Sequence, residues 1–112
     1  MGEKSSEIAK RVQAAVKIQQ HRYKETKIRR NSMLPAEKTN DFCPMNEKAE
    51  KALHTAISKL SLSGRAYHGV LRVARTIADL ESKEILEVDH VLEAVHHRRF
   101  GEDPMEILSM KA

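Results

Sequence analysis

Arg65 carries the most pointed chemistry in this chain. It follows Ser63-Gly64 at the head of a long stretch of helical periodicity, where the Ser63 hydroxyl can accept from a free backbone amide and start a helix. A cation in the first turn lies beside the positive end of the helix dipole, which is unfavourable by roughly 0.3 to 1 kcal/mol. On charge alone two readings stay open: a solvated arginine, or one kept there for an anionic partner. Other reactive side chains are poorly placed. Six histidines are present, but adjacent His96 and His97 diverge on a helix and no His, Cys or Asp set has zinc spacing, so no metal site is expected. Cys43 is the lone cysteine, followed by Pro44 and lacking a nearby activating base, so it is not read as a nucleophile. A nucleotide-binding loop needs glycines whose backbone amides wrap phosphates ahead of Gly-Lys-Ser or Gly-Lys-Thr. The nearest string, Gly2-Glu3-Lys4-Ser5, has no upstream glycines and no preceding strand. No catalytic residue is expected in this chain by itself.

The element that must position Arg65 runs from Ser61 to Ser82. Ala66, Val70, Val73, Ala74, Ile77 and Leu80 recur at steps of three and four, and Tyr67, Leu71 and Ala78 widen the apolar face. The opposite side carries Arg65, His68, Arg72, Arg75 or Thr76, and Asp79, which reads as a mostly positive solvated stripe. Before it, Asn46 caps a helix with Ala49, Ala52, Leu53, Ala56, Ile57 and Leu60 facing inward, and the short link Ser61 to Ser63 predicts an antiparallel pair. A first helix is predicted from Ser6 to about Arg30, its narrow stripe formed by Ile8, Val12, Val16, Gln19 and Tyr23. Residues 31–45 form a connecting loop anchored by Leu34 and Phe42, with a single turn started by Pro35. After a break at Glu81 to Leu86, with Ile85 and Leu86 as anchors, a last helix follows from about Val88 to Arg98, with Val88, Val91, Leu92 and Val95 inward. Phe100 and Gly101 close it, and Asp103-Pro104 opens a short turn in the tail 101–112, where Met105, Ile107 and Leu108 fold back. The fold expected is all-α, a bundle of four main helices.

Composition agrees with that class. The chain has 112 residues, three prolines, four glycines and few aromatics, enough for one helical domain with an aliphatic core but not for a separate catalytic domain. With one cysteine, no signal peptide and no long apolar run, a cytoplasmic setting and no membrane partner are expected. Met1-Gly2 reads as a start plus an added residue, which suggests an excised fragment. The net charge of +4 is concentrated: residues 1–30 hold nine Lys or Arg against three Glu, leaving the rest of the chain acidic. Such a segment suits nucleic acid, an acidic protein surface or a solvated helix face.

The run Leu62-Ser63-Gly64-Arg65-Ala66-Tyr67-His68, continued by Val70-Leu71-Arg72-Val73-Ala74-Arg75-Thr76-Ile77-Ala78-Asp79-Leu80, resembles the C-terminal lid of magnesium chelatase-like AAA+ ATPases, within them the ComM-like (YifB) branch. Ser5-Ser6, Arg11-Val12, Gln19, Arg22, Asn31, Leu34, Cys43-Pro44, Ala94 and Arg98 match as well, while Val16, Gly69 and His97 depart from the family pattern. The resemblance implies that Ser-x-Arg is the sensor 2 motif, with Arg65 reading the γ-phosphate of ATP, and that residues 46–100 form the lid core behind the basic helix 1–30. It implies ATP with Mg²⁺ as cofactor of the whole protein and none bound to the fragment, which is no enzyme alone. Implied partners are an N-terminal nucleotide-binding domain of the same protein, neighbouring subunits of a ring, and DNA through a parent that drives branch migration. Three alternatives stand beside it: a free-standing basic helical module that binds nucleic acid, a pure interaction adaptor, and the lid of a true magnesium chelatase subunit.

Overall fold

The computed structural model describes residues 5–100, the side chains of Arg98, Arg99 and Phe100 excepted. Helix α1 spans Ser5–Arg22, single 3-10 turns follow at Asn31–Met33 and Ala36–Lys38, and the one-turn helix α2 spans Thr39–Phe42. Helices α3 (Glu47–Lys59), α4 (Gly64–Leu80) and α5 (Val88–Phe100) complete the described chain. The architecture is all-α, with four main helices as expected. The turn after Pro35 is also present. The tail expected at 101–112, with Gly101, Asp103, Pro104, Met105, Ile107 and Leu108, lies outside the described residues, as do Met1 and Gly2. No helix among the described residues is long and apolar enough to cross a membrane.

Local chemistry sets the helix boundaries. The Asn46 side chain accepts from the Ala49 amide at 2.8 Å to start α3, and the Ser63 hydroxyl accepts from the Ala66 amide at 3.2 Å to start α4. At the other ends, Ser61 and Ser82 enter the left-handed region with φ of 50° and 57°. Each then lets the next amide reach five residues back: Leu62 N–H to Ile57 O at 3.0 Å, and Lys83 N–H to Ala78 O at 2.8 Å. Ser61 and Ser82 also donate to Ser58 O and Asp79 O, completing the Schellman pattern that satisfies the last carbonyls.

Helix α4 is the centre of the bundle. Val70, Leu71, Ala74, Ile77 and Ala78 share one buried cluster with Ala49 and Leu53 of α3, Val91 and Ala94 of α5, and Tyr23, Leu34, Cys43 and Leu86 of the connections. The expected close antiparallel pairing of α3 with α4 is not the main packing: α5 lies against both. The reason is an isolated parallel bridge between Met45 and Leu86, in which Leu86 N–H donates to Pro44 O at 2.8 Å and Asn46 N–H to Leu86 O at 3.1 Å. That bridge pins the starts of α3 and α5 side by side. Direct contact of α3 with α4 is made by side chains such as His54 and Tyr67, whose rings are 6.2 Å apart.

Three further expectations are corrected. The first helix ends at Arg22, not near Arg30, because Tyr23 and Ile28 are drawn into the core through a turn in which the Thr26 amide and hydroxyl both donate to Tyr23 O at 2.9 Å. On α1 the core takes Ile8, Ala15 and Gln19, leaving Val16 exposed. Leu60, Ile85 and Leu92 are exposed as well, so the inner face of α5 is Val91 and Ala94, flanked by half-buried Val95.

Candidate functional site

Arg65 occupies the first turn of α4, one residue after Gly64, and is exposed. The Ser63 cap satisfies the Ala66 amide, so the helix start is stable without help from the arginine. Among the described residues Arg65 has no side-chain hydrogen bond and no carboxylate partner. Its guanidinium is therefore a planar fork of donors held at a helix start, with no partner among the described residues. Such a fork can engage two oxygens of a phosphate at once.

What makes α4 a rigid mount is a buried polar assembly near its other end, about 21 Å along the axis from Arg65. Asp79, fully buried, accepts from Arg22 Nη1 and Nη2 at 2.8 and 2.6 Å, from Asn31 Nδ2 at 2.8 Å and from Arg75 Nε at 3.2 Å. A buried carboxylate is tolerated only when its lost water is replaced by such donors. Asn31 uses all of its side-chain capacity. Its Oδ1 accepts from Tyr23 Oη at 2.6 Å and Arg22 Nη1 at 3.1 Å, and its Nδ2 also donates to Thr76 Oγ1 at 3.1 Å. The Asn31 amide donates to Gln19 Oε1 at 2.9 Å, and the Thr76 hydroxyl to Arg72 O at 3.2 Å. Arg75 turns the remaining donors onto Glu84 O at 2.7 Å and onto Lys83 O, clasping the connection to α5. Burial alone would lower the Arg22 guanidinium, but the hydrogen bonds and charge of Asp79 outweigh it and hold it above its ordinary value. For Arg75 burial wins, helped by repulsion from Arg22, and the group is shifted down despite Asp79.

The solvated positive stripe expected along α4 is thus only partly present. Arg65 is exposed and His68 and Arg72 are half-buried, whereas Arg75, Thr76 and Asp79 are buried. The His68 Nδ1 shares a hydrogen bond with the Thr39 hydroxyl at 2.6 Å, and that hydroxyl also lies 2.9 Å from Ala36 O. Cys43 is buried with its thiol 3.7 Å from Leu71 O, and burial pushes the thiol up to about 11, which leaves it protonated and inert near neutral pH. Among the described residues no group of His, Cys, Asp or Glu is arranged to hold a metal ion.

Over residues 2–98 the chain matches the family described as magnesium chelatase, subunit ChlI C-terminal. It belongs to that family. Among curated proteins, this member of the chelatase C-terminal family is 37% identical over 97 residues to competence protein ComM of Haemophilus influenzae. It is 35% identical over 97 residues to the uncharacterized protein YifB of Salmonella typhimurium and to that of Escherichia coli. In each case 87% of this chain is covered but 18% of the relative, so the chain spans under a fifth of the length of the proteins it matches. No solved structure matches it.

The buried assembly explains family-like residues that carry no evident chemistry. Gln19, Arg22, Asn31, Leu34 and Cys43 are structural: the first three belong to the network around Asp79, and Leu34 and Cys43 to the core. Sequence reasoning missed Arg75, Thr76 and Asp79 as interior groups. The available signal was the Arg75-to-Asp79 spacing of four, which allows an ion pair along one helix face.

Proposed function

We propose that this chain is the helical lid of a magnesium chelatase-like AAA+ ATPase and that Arg65 is its sensor 2 arginine, engaging the γ-phosphate of ATP with Mg²⁺ held by a nucleotide-binding domain of the same protein. The observation that carries this reading is Arg65 itself: exposed and unpaired among the described residues, at a dipole end that disfavours it, on a helix anchored at its far end. Arg65 would stabilise phosphate charge electrostatically and would move no proton. Hydrolysis elsewhere would then shift the lid as one body, through which subunits of a ring are coupled. The likeness to a competence protein favours a parent that remodels DNA by branch migration. The family description keeps a second reading in place, a parent that inserts Mg²⁺ into a porphyrin.

The test is Arg65→Ala in the full-length parent. Folding and ring assembly are expected to be unchanged, while ATP hydrolysis falls by about 100-fold or more, as for phosphate-facing arginines elsewhere. Arg65→Lys keeps the charge but loses the fork, and rescues only in part. Arg72 is unsuitable as a control because its Nε donates to Leu34 O at 2.7 Å. Exposed Lys59→Ala serves instead. Parent-level hydrolysis by Arg65→Ala would remove the sensor assignment.

A further inference from the structure

With Arg22 turned inward onto Asp79 and Arg11 half-buried, the other lysines and arginines described between Ser5 and Arg30 are left facing water. Lys10, Lys17, Lys24, Lys27, Arg29 and Arg30 are all exposed, with Glu7 and Glu25 the only acidic residues between Ser5 and Arg30. Lys10, Gln13, Lys17 and Gln20 recur at steps of three and four and share one face of α1, which Lys24 continues past the helix end. Beside this stripe, between α1 and the segment that follows it, lies a cleft of about 390 Å³. Gln20, Arg29, Arg30 and Ser32 line it with the network residues Asn31 and Thr76, and no carboxylate is among its lining residues. Neither Arg29 nor Arg30 has a side-chain hydrogen bond or ion pair among the described residues. The cleft floor is tied to Asp79 and Gln19 through Asn31, so the two arginines flank a wall that is already built.

We infer that this cleft and the lysine stripe form a docking surface for the phosphodiester backbone of nucleic acid. Arg29 and Arg30 take phosphate oxygens at the cleft, and Lys10, Lys17 and Lys24 follow the strand along α1. The polymeric partner is indicated by charge repeated along a line: Lys10 and Lys17 alone are separated by about 10 Å of helix. The stripe is filled out by Gln13 and Gln20 rather than by apolar side chains, which disfavours insertion into a lipid surface. Tyr23 is buried and bonded to Asn31, so it is not available to stack on bases. Binding therefore reads backbone charge and not base sequence. This surface stands independently of the role given to Arg65.

The experiment is fluorescence anisotropy of the 112-residue chain with a labelled 20-base-pair DNA duplex between about 50 and 200 mM NaCl, a range over which phosphate contacts weaken strongly. The double variant Arg29→Gln/Arg30→Gln is expected to weaken binding by about 10-fold or more at the low-salt end and to flatten the salt slope by roughly 2. Lys48→Gln/Lys51→Gln removes the same charge from exposed positions of α3 and is expected to cost less than about 3-fold. Duplexes of unrelated sequence bind alike, and circular dichroism melts verify that both variants fold. Equal losses in the two variants would show diffuse attraction without a site and overturn the inference. So would absence of duplex binding at low salt, or binding to phosphatidylserine vesicles without binding to the duplex.

Discussion

Arg22 and Asp79, 57 residues apart in the chain, meet in a two-point ion pair, Nη2 to Oδ1 at 2.6 Å and Nη1 to Oδ2 at 2.8 Å. The pair ties the end of α1 to the last turn of α4, and Asn31 between them fixes the chain that turns back from α1. Because Asp79 is fully buried and Arg22 keeps a margin of solvent, the two partners are not equivalent.

Asp79→Ala is expected to be the more damaging change. It leaves Arg22 and Arg75 facing one another without an anion, a loss of about 3 to 5 kcal/mol. Arg22→Ala leaves Asp79 with Arg75 and Asn31 as donors and should cost less, about 2 to 3 kcal/mol. Urea unfolding of both single variants and the double variant gives the coupling, expected to exceed about 1 kcal/mol. Additive losses would mean that the pair is not energetically linked.

Cys43 gives the fold an alkaline sensitivity. Its folded value of about 11 lies above the ordinary 9.0, so below pH 9 both folded and unfolded chains keep the proton and no dependence arises. Between 9 and 11 the unfolded chain ionises first, and this thiol lowers stability by up to about 1.4 kcal/mol for each pH unit. Above that window both states are ionised and the slope from this group vanishes. Unfolding midpoints should therefore fall more steeply with pH in the parent than in Cys43→Ala. Matching slopes, or fast reaction of the native thiol with Ellman's reagent at pH 8, would contradict the buried assignment.

Ser82 is strained where a glycine would be at ease. With φ at 57° it closes α4, a conformation disfavoured for side-chain-bearing residues by roughly 1 to 2 kcal/mol. Part of that gain is offset by the greater freedom of glycine in the unfolded chain. Ser82→Gly is expected to stabilise by about 0.5 to 1 kcal/mol and to raise Tm by about 3 to 6 °C. A lower Tm would show that the Ser82 side chain contributes a contact worth more than the strain.

The sequence alone determined what depends on near neighbours. Asn46 and Ser63 announced the starts of α3 and α4, because a cap is made within three residues, and Arg65 was marked by its place in a helix turn. The apolar period located α3, α4 and α5, and the string around Arg65 pointed to the family that the comparison confirms. Tertiary structure alone decided which polar residues go inside. Along α4, Arg65 and Arg75 look alike as local sequence, yet one is exposed and the other buried, because Asp79 and the carbonyls of Lys83 and Glu84 meet Arg75 only when the chain has closed. The same holds for Arg22 at the end of α1: nothing near it in sequence shows that its side chain turns inward. The counter-charge that draws Arg22 inward is supplied from the far end of α4, and a buried charge is settled by such distant partners rather than by periodicity.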